Sequence, residues 1–262
     1  MRNILTVVLC SWLALASFAT VAGSYGQDET PSQHWQSLAR DAYRNGKYEM
    51  AAEYFGEAAA TAEKTFLQAK NLYAKGDILL SNTGKTEEGL ATLDAVVTRF
   101  GDDSDAGVRE LAAAALISKG SWLQNAGKSE EGLAVFDGVI TRYGDDPNAE
   151  LQGSVAKALV IKSVVLHIAG KTDEELAVLD TVIKRYGGAT KVGVQEWVAK
   201  ALLVKGTRLS QVTESLAAFD SVVTRYGDAP DRRAARECGD STACQGRPSA
   251  ARRKNREGAC RL

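Results

Sequence analysis

One segment returns along this chain at fixed spacing, and it constrains the fold more than any other feature. GKTEEGLATLDAVVTRFGDD begins at Gly84, GKSEEGLAVFDGVITRYGDD at Gly127 and GKTDEELAVLDTVIKRYGG at Gly170, each start 43 residues after the last. A fourth copy, TESLAAFDSVVTRYGD, begins at Thr213, three residues early. The halves between them align as well. LYAKG, LISKG, LVIKS and LLVKG place Lys75, Lys119, Lys162 and Lys205 in register. A period of this length marks a stack of supersecondary units, not a single globular core.

Each period reads as two helices. In the second, apolar residues fall at Leu133, Phe136, Val139, Ile140 and Tyr143, with equivalents at 90, 93, 96, 97 and 100 in the copy before. Steps of three and four place them on one helical face. Glu130 and Glu131 sit in the first turn, where the helix dipole favours anions. Arg142-Tyr143-Gly144 supplies a cation for the last turn and a Gly expected to close the helix in the left-handed conformation, as at Gly101, Gly187 and Gly227. Asp146-Pro147 reads as an N-cap followed by Pro in the first turn of the next helix. Gly127-Lys128 fills the short turn inside the hairpin. Only four Pro in 262 residues suits long helices.

The chain resembles the tetratricopeptide repeat family, most clearly in HWQSLARDAYRNGKYEMAAEYFGEAA. Trp35, Leu38 and Ala39 match the family's first-helix packing positions, Gly46 its turn, and Ala51, Phe55 and Ala58 its second-helix contacts. Gly120 and Gly206 match the small residue where paired helices approach closely, and Ser163 replaces it once. The resemblance spans residues 31–228. It departs in the longer period and at Lys119 and its equivalents, where the family places an apolar residue. It implies an all-α, right-handed solenoid of about five helical hairpins, with a concave groove that holds a peptide or protein partner.

Two lysine-bearing patterns could carry chemistry. Gly84-Lys85-Thr86 and its copies look like the end of a phosphate loop. The motif also needs a Gly five residues earlier, where Leu79, Trp122 and Val165 stand, and no strand precedes them. These are hairpin turns. The ladder Lys75, Lys119, Lys162 and Lys205 recurs with a second ladder, Asp94, Asp137, Asp180 and Asp220. One reading sets the lysines along the groove to meet an acidic or C-terminal carboxylate ligand. The other joins each Lys to an Asp between helices, because a half-buried charge wants a partner. Trp122 and Trp197 lie on first helices as groove anchors or as packing between hairpins. These six residues are the candidate partner-binding set.

Catalysis and metal binding find little footing. His34 and His167 are the only histidines, and the repeat body holds no Cys. Acidic residues gather at helix starts, where capping explains them. No cofactor, metal site or catalytic group is therefore expected. The body is acidic, so no nucleic-acid surface is expected either.

The two ends differ from the body. Arg2 is the only charge before Asp28, and ILTVVLCSWLALASFATVA runs between them. A basic start, an apolar stretch and a small-residue exit at Thr20 and Ala22 fit a signal peptide over residues 1–22, with 23–30 a linker. The alternative is a retained anchor helix. The mature chain is expected outside the cytoplasm of a bacterial cell, periplasmic or secreted, and off the membrane. Residues 229–262 lose all periodicity, carry Cys238, Cys244 and Cys260, and turn basic: 227–262 holds nine Arg or Lys against five Asp or Glu. One allowed set of codons for this tail, read one base later, gives AATALLAKGVLALRGGKTERALAV, which aligns without gaps with residues 112–135. That suggests a frameshifted next repeat, a question for the coding DNA. The functional expectation is an exported, non-catalytic scaffold that binds a partner in its groove. The alternatives are an assembly component of an envelope complex and, remotely, an enzyme with a site invisible in sequence.

Overall fold

The computed structural model describes residues 29–208 and the isolated positions 216, 217, 220 and 224. The signal-peptide segment, nearly all of the linker, most of the fourth copy and the basic tail lie outside the described residues. Those that are described form an all-α repeat array. Its helices are α1 Pro31–Arg44, α2 Tyr48–Ala60, α3 Thr65–Ile78, α4 Thr86–Phe100, α5 Ala106–Asn125, α6 Ser129–Tyr143, α7 Ala149–Ile168, α8 Thr172–Tyr186 and α9 Val192–Arg208. The chain divides into two compact units, residues 1–198 and 199–262, with the boundary inside α9. In the first unit, α1 to α8 pair as four successive hairpins, and the second helix of each of the first three packs on the first helix of the next.

The repeat copies account for the hairpin cores. Leu93, Phe136 and Leu179, spaced by the period, are each fully buried on the second helix. They press against a small residue of the first helix. A Cβ added to Gly76 would lie 2.7 Å from Leu93 Cδ2, and one on Gly120 would lie 2.8 Å from Phe136 Cε1. Carbon atoms pack at about 3.5–4.0 Å, so a methyl at either place would force the facing side chain to move. Ser163 takes the third place, buried, its hydroxyl donating to the Val160 carbonyl at 2.8 Å within its own helix.

Two expectations about helix ends are corrected. Gly101, Gly144 and Gly187 close their helices in the right-handed conformation, at φ −65°, −57° and −61°. Left-handed φ occurs among the described residues only at Gly46, Gly84, Gly127 and Gly170, the turns inside the hairpins. A chain that reverses within two or three residues needs that conformation. The loops between hairpins are longer and do not. The start of α7 is corrected too. Its N-cap is Asn148, whose side chain accepts from Glu150 N–H at 2.9 Å. Asp146 stands two residues before it and accepts from Asn148 N–H at 2.9 Å. In the preceding loop Asp105 caps α5 directly, accepting from the N–H groups of Gly107 and Val108.

The Arg-Tyr-Gly-Asp endings clasp neighbouring hairpins. Arg142 on α6 donates to Asp102, its Nη2 2.8 Å from the carboxylate, and Tyr143 hydroxyl donates to Gly101 carbonyl at 3.2 Å. One repeat later, Arg185 meets Asp145 at 2.9 Å and also the Gly144 carbonyl. Each arginine lies over the aromatic ring beside it, at 5.7 Å for Arg142 on Tyr143 and 5.6 Å for Arg185 on Tyr186.

One residue breaks the period. Lys75 to Gly84 spans nine positions, while Lys119 to Gly127 and Lys162 to Gly170 span eight. The extra residue is absorbed in a π-helical turn, Leu79–Thr83, that extends α3. Single insertions into helices are accommodated in this way. Helix α7 is long and apolar enough to cross a membrane by composition and length, and half of its most apolar window is buried. It is apolar around most of its circumference because neighbours cover it on several sides, as in a core helix.

Candidate functional site

The first helices make one face. Helices α3 and α5 touch each other, as do α5 and α7. Three cavities follow one another along this face, all within the first unit. The first, about 360 Å³, lies between α1 and α3 and is lined by Arg40, Tyr43, Arg44, Phe55, Tyr73 and Asp77. The next, about 450 Å³, is reached across Asp77 and is lined by Ser81, Ser118, Ser121, Trp122, Asn125 and Lys157. The last, about 290 Å³, shares Ile117 and Lys157 with the second and adds Glu110, Glu150, Val194 and Trp197. Shared linings make the three a continuous groove.

Side chains within the groove are held in part by each other. Ser118 hydroxyl donates to Asp77 Oδ1 at 3.0 Å, and Tyr73 hydroxyl lies 3.2 Å from Ser118 Oγ. Burial pushes the Tyr73 phenol above its ordinary pKa, the Asp77 charge adds to this, and the Ser118 hydrogen bond opposes it. The phenol is therefore protonated and available as a donor at neutral pH. Lys157 Nζ lies 5.9 Å from the centre of the Trp197 ring. Glu150 is paired with Lys191 across the mouth of the third cavity. The charges that line the second cavity, Asp77 and Lys157, balance.

The six residues proposed from sequence separate into two groups. Trp122 lines the second cavity and Trp197 the third. Trp122 also packs against the core formed by Leu93, Val96 and Phe100. Lys75, Lys119 and Lys162 line none of these three cavities. Lys119 on α5 donates to Asp94 on α4 at 2.6 Å, and Lys162 on α7 to Asp137 on α6 at 2.5 Å. Each bridge joins the first helix of one hairpin to the second helix of the hairpin before. Lys75 has Gly56 where its Asp would stand, and reaches Glu88 of its own hairpin at 3.5 Å. Lys205 lies on α9 in the second unit.

The groove residues that sequence reasoning missed are the ones that break the repeat. In register, Asp77 and Ser121 become Val164, and Ser81 and Asn125 become Ile168, while the place of Lys157 is held by Lys70 and Lys200 in other copies and by Ala114 in one. Val164 and Ile168 are exposed, so the groove face turns apolar one repeat further on. The π turn contributes Leu80 and Ser81 to the second cavity. A second departure lies off the groove. Glu175 replaces Gly89 and Gly132, is fully buried, and lies 3.0 Å from His167 Nδ1. The signal that could have found these is the difference between copies, read on both helices of each hairpin.

Residues 46–121 match the family model for the tetratricopeptide repeat. The 43-residue copies continue the same hairpin pattern beyond that match. No curated protein matches the chain.

Proposed function

We propose that this protein is an exported, non-catalytic scaffold that holds a segment of a protein partner along the face built by its first helices. One observation carries the reading: three connected cavities on that face, lined by residues that depart from the repeat. Residues common to every copy are used up in cores, turns and bridges. Residues that differ have no such duty, and on these helices they converge on one groove. Aromatic side chains at both ends of it, Tyr43 and Trp197, are the type that anchors partners. The repeat family supports the same kind of role. Export rests on the leader-like sequence of residues 1–22, with a periplasmic or secreted mature chain.

Site-specific photo-crosslinking in the source cell tests the groove. Photoreactive residues at Ser154 and Tyr43, in the two end cavities, should capture a protein that one at Gly138, on the outer side of α6, does not. Adducts formed at Gly138 alone would refute the groove. Export is checked separately by sequencing the mature N-terminus, expected at Gly23. An intact Met1 on a cytoplasmic chain would refute it.

A further inference from the structure

The second cavity differs in chemistry from the other two. Around its 450 Å³ stand the hydroxyls of Ser81, Ser118 and Ser121, the amide of Asn125, the Asp77 carboxylate, the Lys157 ammonium and the Trp122 indole. Ser118 is engaged with Asp77 and Tyr73. Among the described residues, Ser81, Ser121 and Asn125 make no side-chain hydrogen bond to the protein. The fold does not require them, because the next copy carries Val164 and Ile168 at the places of Ser121 and Asn125 and builds the same hairpin. The inserted residue of the π turn falls at this cavity and not elsewhere in the array, and such turns concentrate at functional sites.

We propose that this cavity is a binding site for a neutral saccharide ring. Each sugar hydroxyl both donates and accepts. The cavity offers a pure acceptor in Asp77, a pure donor in Lys157, and groups that do both in the two free serines and Asn125. An aromatic wall beside such groups gives the apolar C–H face of a pyranose a surface to lie on. The opposed charges cancel, so neither an anionic nor a cationic ligand is favoured. The volume lies within the range of small-molecule sites. A partner's apolar anchor residue fits less well, since it would strip water from these groups and leave them without partners. The site stands apart from the protein partner of the groove, whose aromatic anchors lie at its ends.

The experiment uses saturation-transfer NMR on the full mature chain with a panel of free hexoses, N-acetylhexosamines and their α- and β-linked disaccharides. At least one member should show transfer. The variant Ser121→Val with Asn125→Ile copies the next repeat and preserves the hairpin, which a urea midpoint equal to wild type will verify. It should weaken the saccharide at least tenfold. Lys119→Met, which lies on the same helix outside the cavity, should leave binding unchanged. No transfer from any member of the panel overturns the proposal, as does transfer that survives the double variant. If the double variant instead abolishes crosslinking of the protein partner while no sugar binds, the cavity belongs to the partner site: the saccharide reading falls and the groove reading stands.

Discussion

Two glycines in the same hairpin should respond to alanine with opposite signs. Gly120 lies inside α5 and Gly138 inside α6, so both replacements gain the same helical preference, about 0.5–1 kcal/mol. They differ in what the new methyl meets. At Gly138 there is nothing within 4 Å. At Gly120 it would lie 2.8 Å from Phe136 Cε1 and 2.9 Å from Cζ, and Phe136 is fully buried. Such overpacking costs about 1–3 kcal/mol. The helical term cancels in the comparison. Gly138→Ala should therefore be the more stable of the two by about 1–3 kcal/mol, and alone should exceed wild type. At roughly 2–4 °C per kcal/mol for an array of this length, thermal melting followed by circular dichroism resolves the difference. Urea midpoints at equal slope give an independent value. Equal shifts in the same direction would show that α5 and α6 do not approach as described, and the reading of Gly76 and Ser163 would fall with it.

Other outcomes follow from the bridges, the caps and the groove. Lys119→Met and Lys162→Met should each change stability by less than about 1 kcal/mol, with the effect shrinking in high salt, because the bridges are solvent-accessible; a larger loss in urea melts would contradict this. Arg142→Ala should cost about 1–2 kcal/mol through the lost bond to Asp102 and the lost stack on Tyr143, and should raise amide exchange at the start of α5 more than inside α3. The Asp146 carboxyl is held below the ordinary aspartate value by the Asn148 N–H, with burial opposing and Arg109 assisting. A lowered folded pKa gives stability that is present above about pH 4 and lost as pH falls through the folded value. The stability gap between wild type and Asp146→Asn should therefore close on acidification below about pH 4, and a gap that widens there would refute the assignment. Trp197→Ala should abolish crosslinking of the partner while leaving the stability read from urea melts within about 1 kcal/mol of wild type, since this ring lines the groove.

Repetition in the sequence made the scaffold legible and hid the site. Leu93, Phe136 and Leu179, the Gly127 turn and the Lys119–Asp94 bridge all recur, because every hairpin needs a core, a reversal and a neutralised charge. Asp77, Ser121 and Asn125 do not recur, so a search for what the copies share passes over them. The helix endings depart from the local expectation for a different reason. Arg-Tyr-Gly-Asp has the composition of a left-handed cap, yet its Gly and Asp receive the arginine of the following hairpin, a contact 40 residues away in sequence for Arg142 and Asp102. Local chemistry cannot reveal a partner at that distance. Asp146 lost its expected place as N-cap to Asn148 because Pro147 lies outside the helix.

The π turn at Leu79–Thr83 has a meaning beyond its cavity. In a stack of near-identical hairpins, a segment can fold correctly against the wrong neighbour, and the error is cheap because each interface resembles the next. One inserted residue widens the last turn of α3, so the hairpin of α3 and α4 differs from the copies that follow it. An array built by copying thereby carries one hairpin whose end is unlike the rest, which sets its interface apart from those of its neighbours.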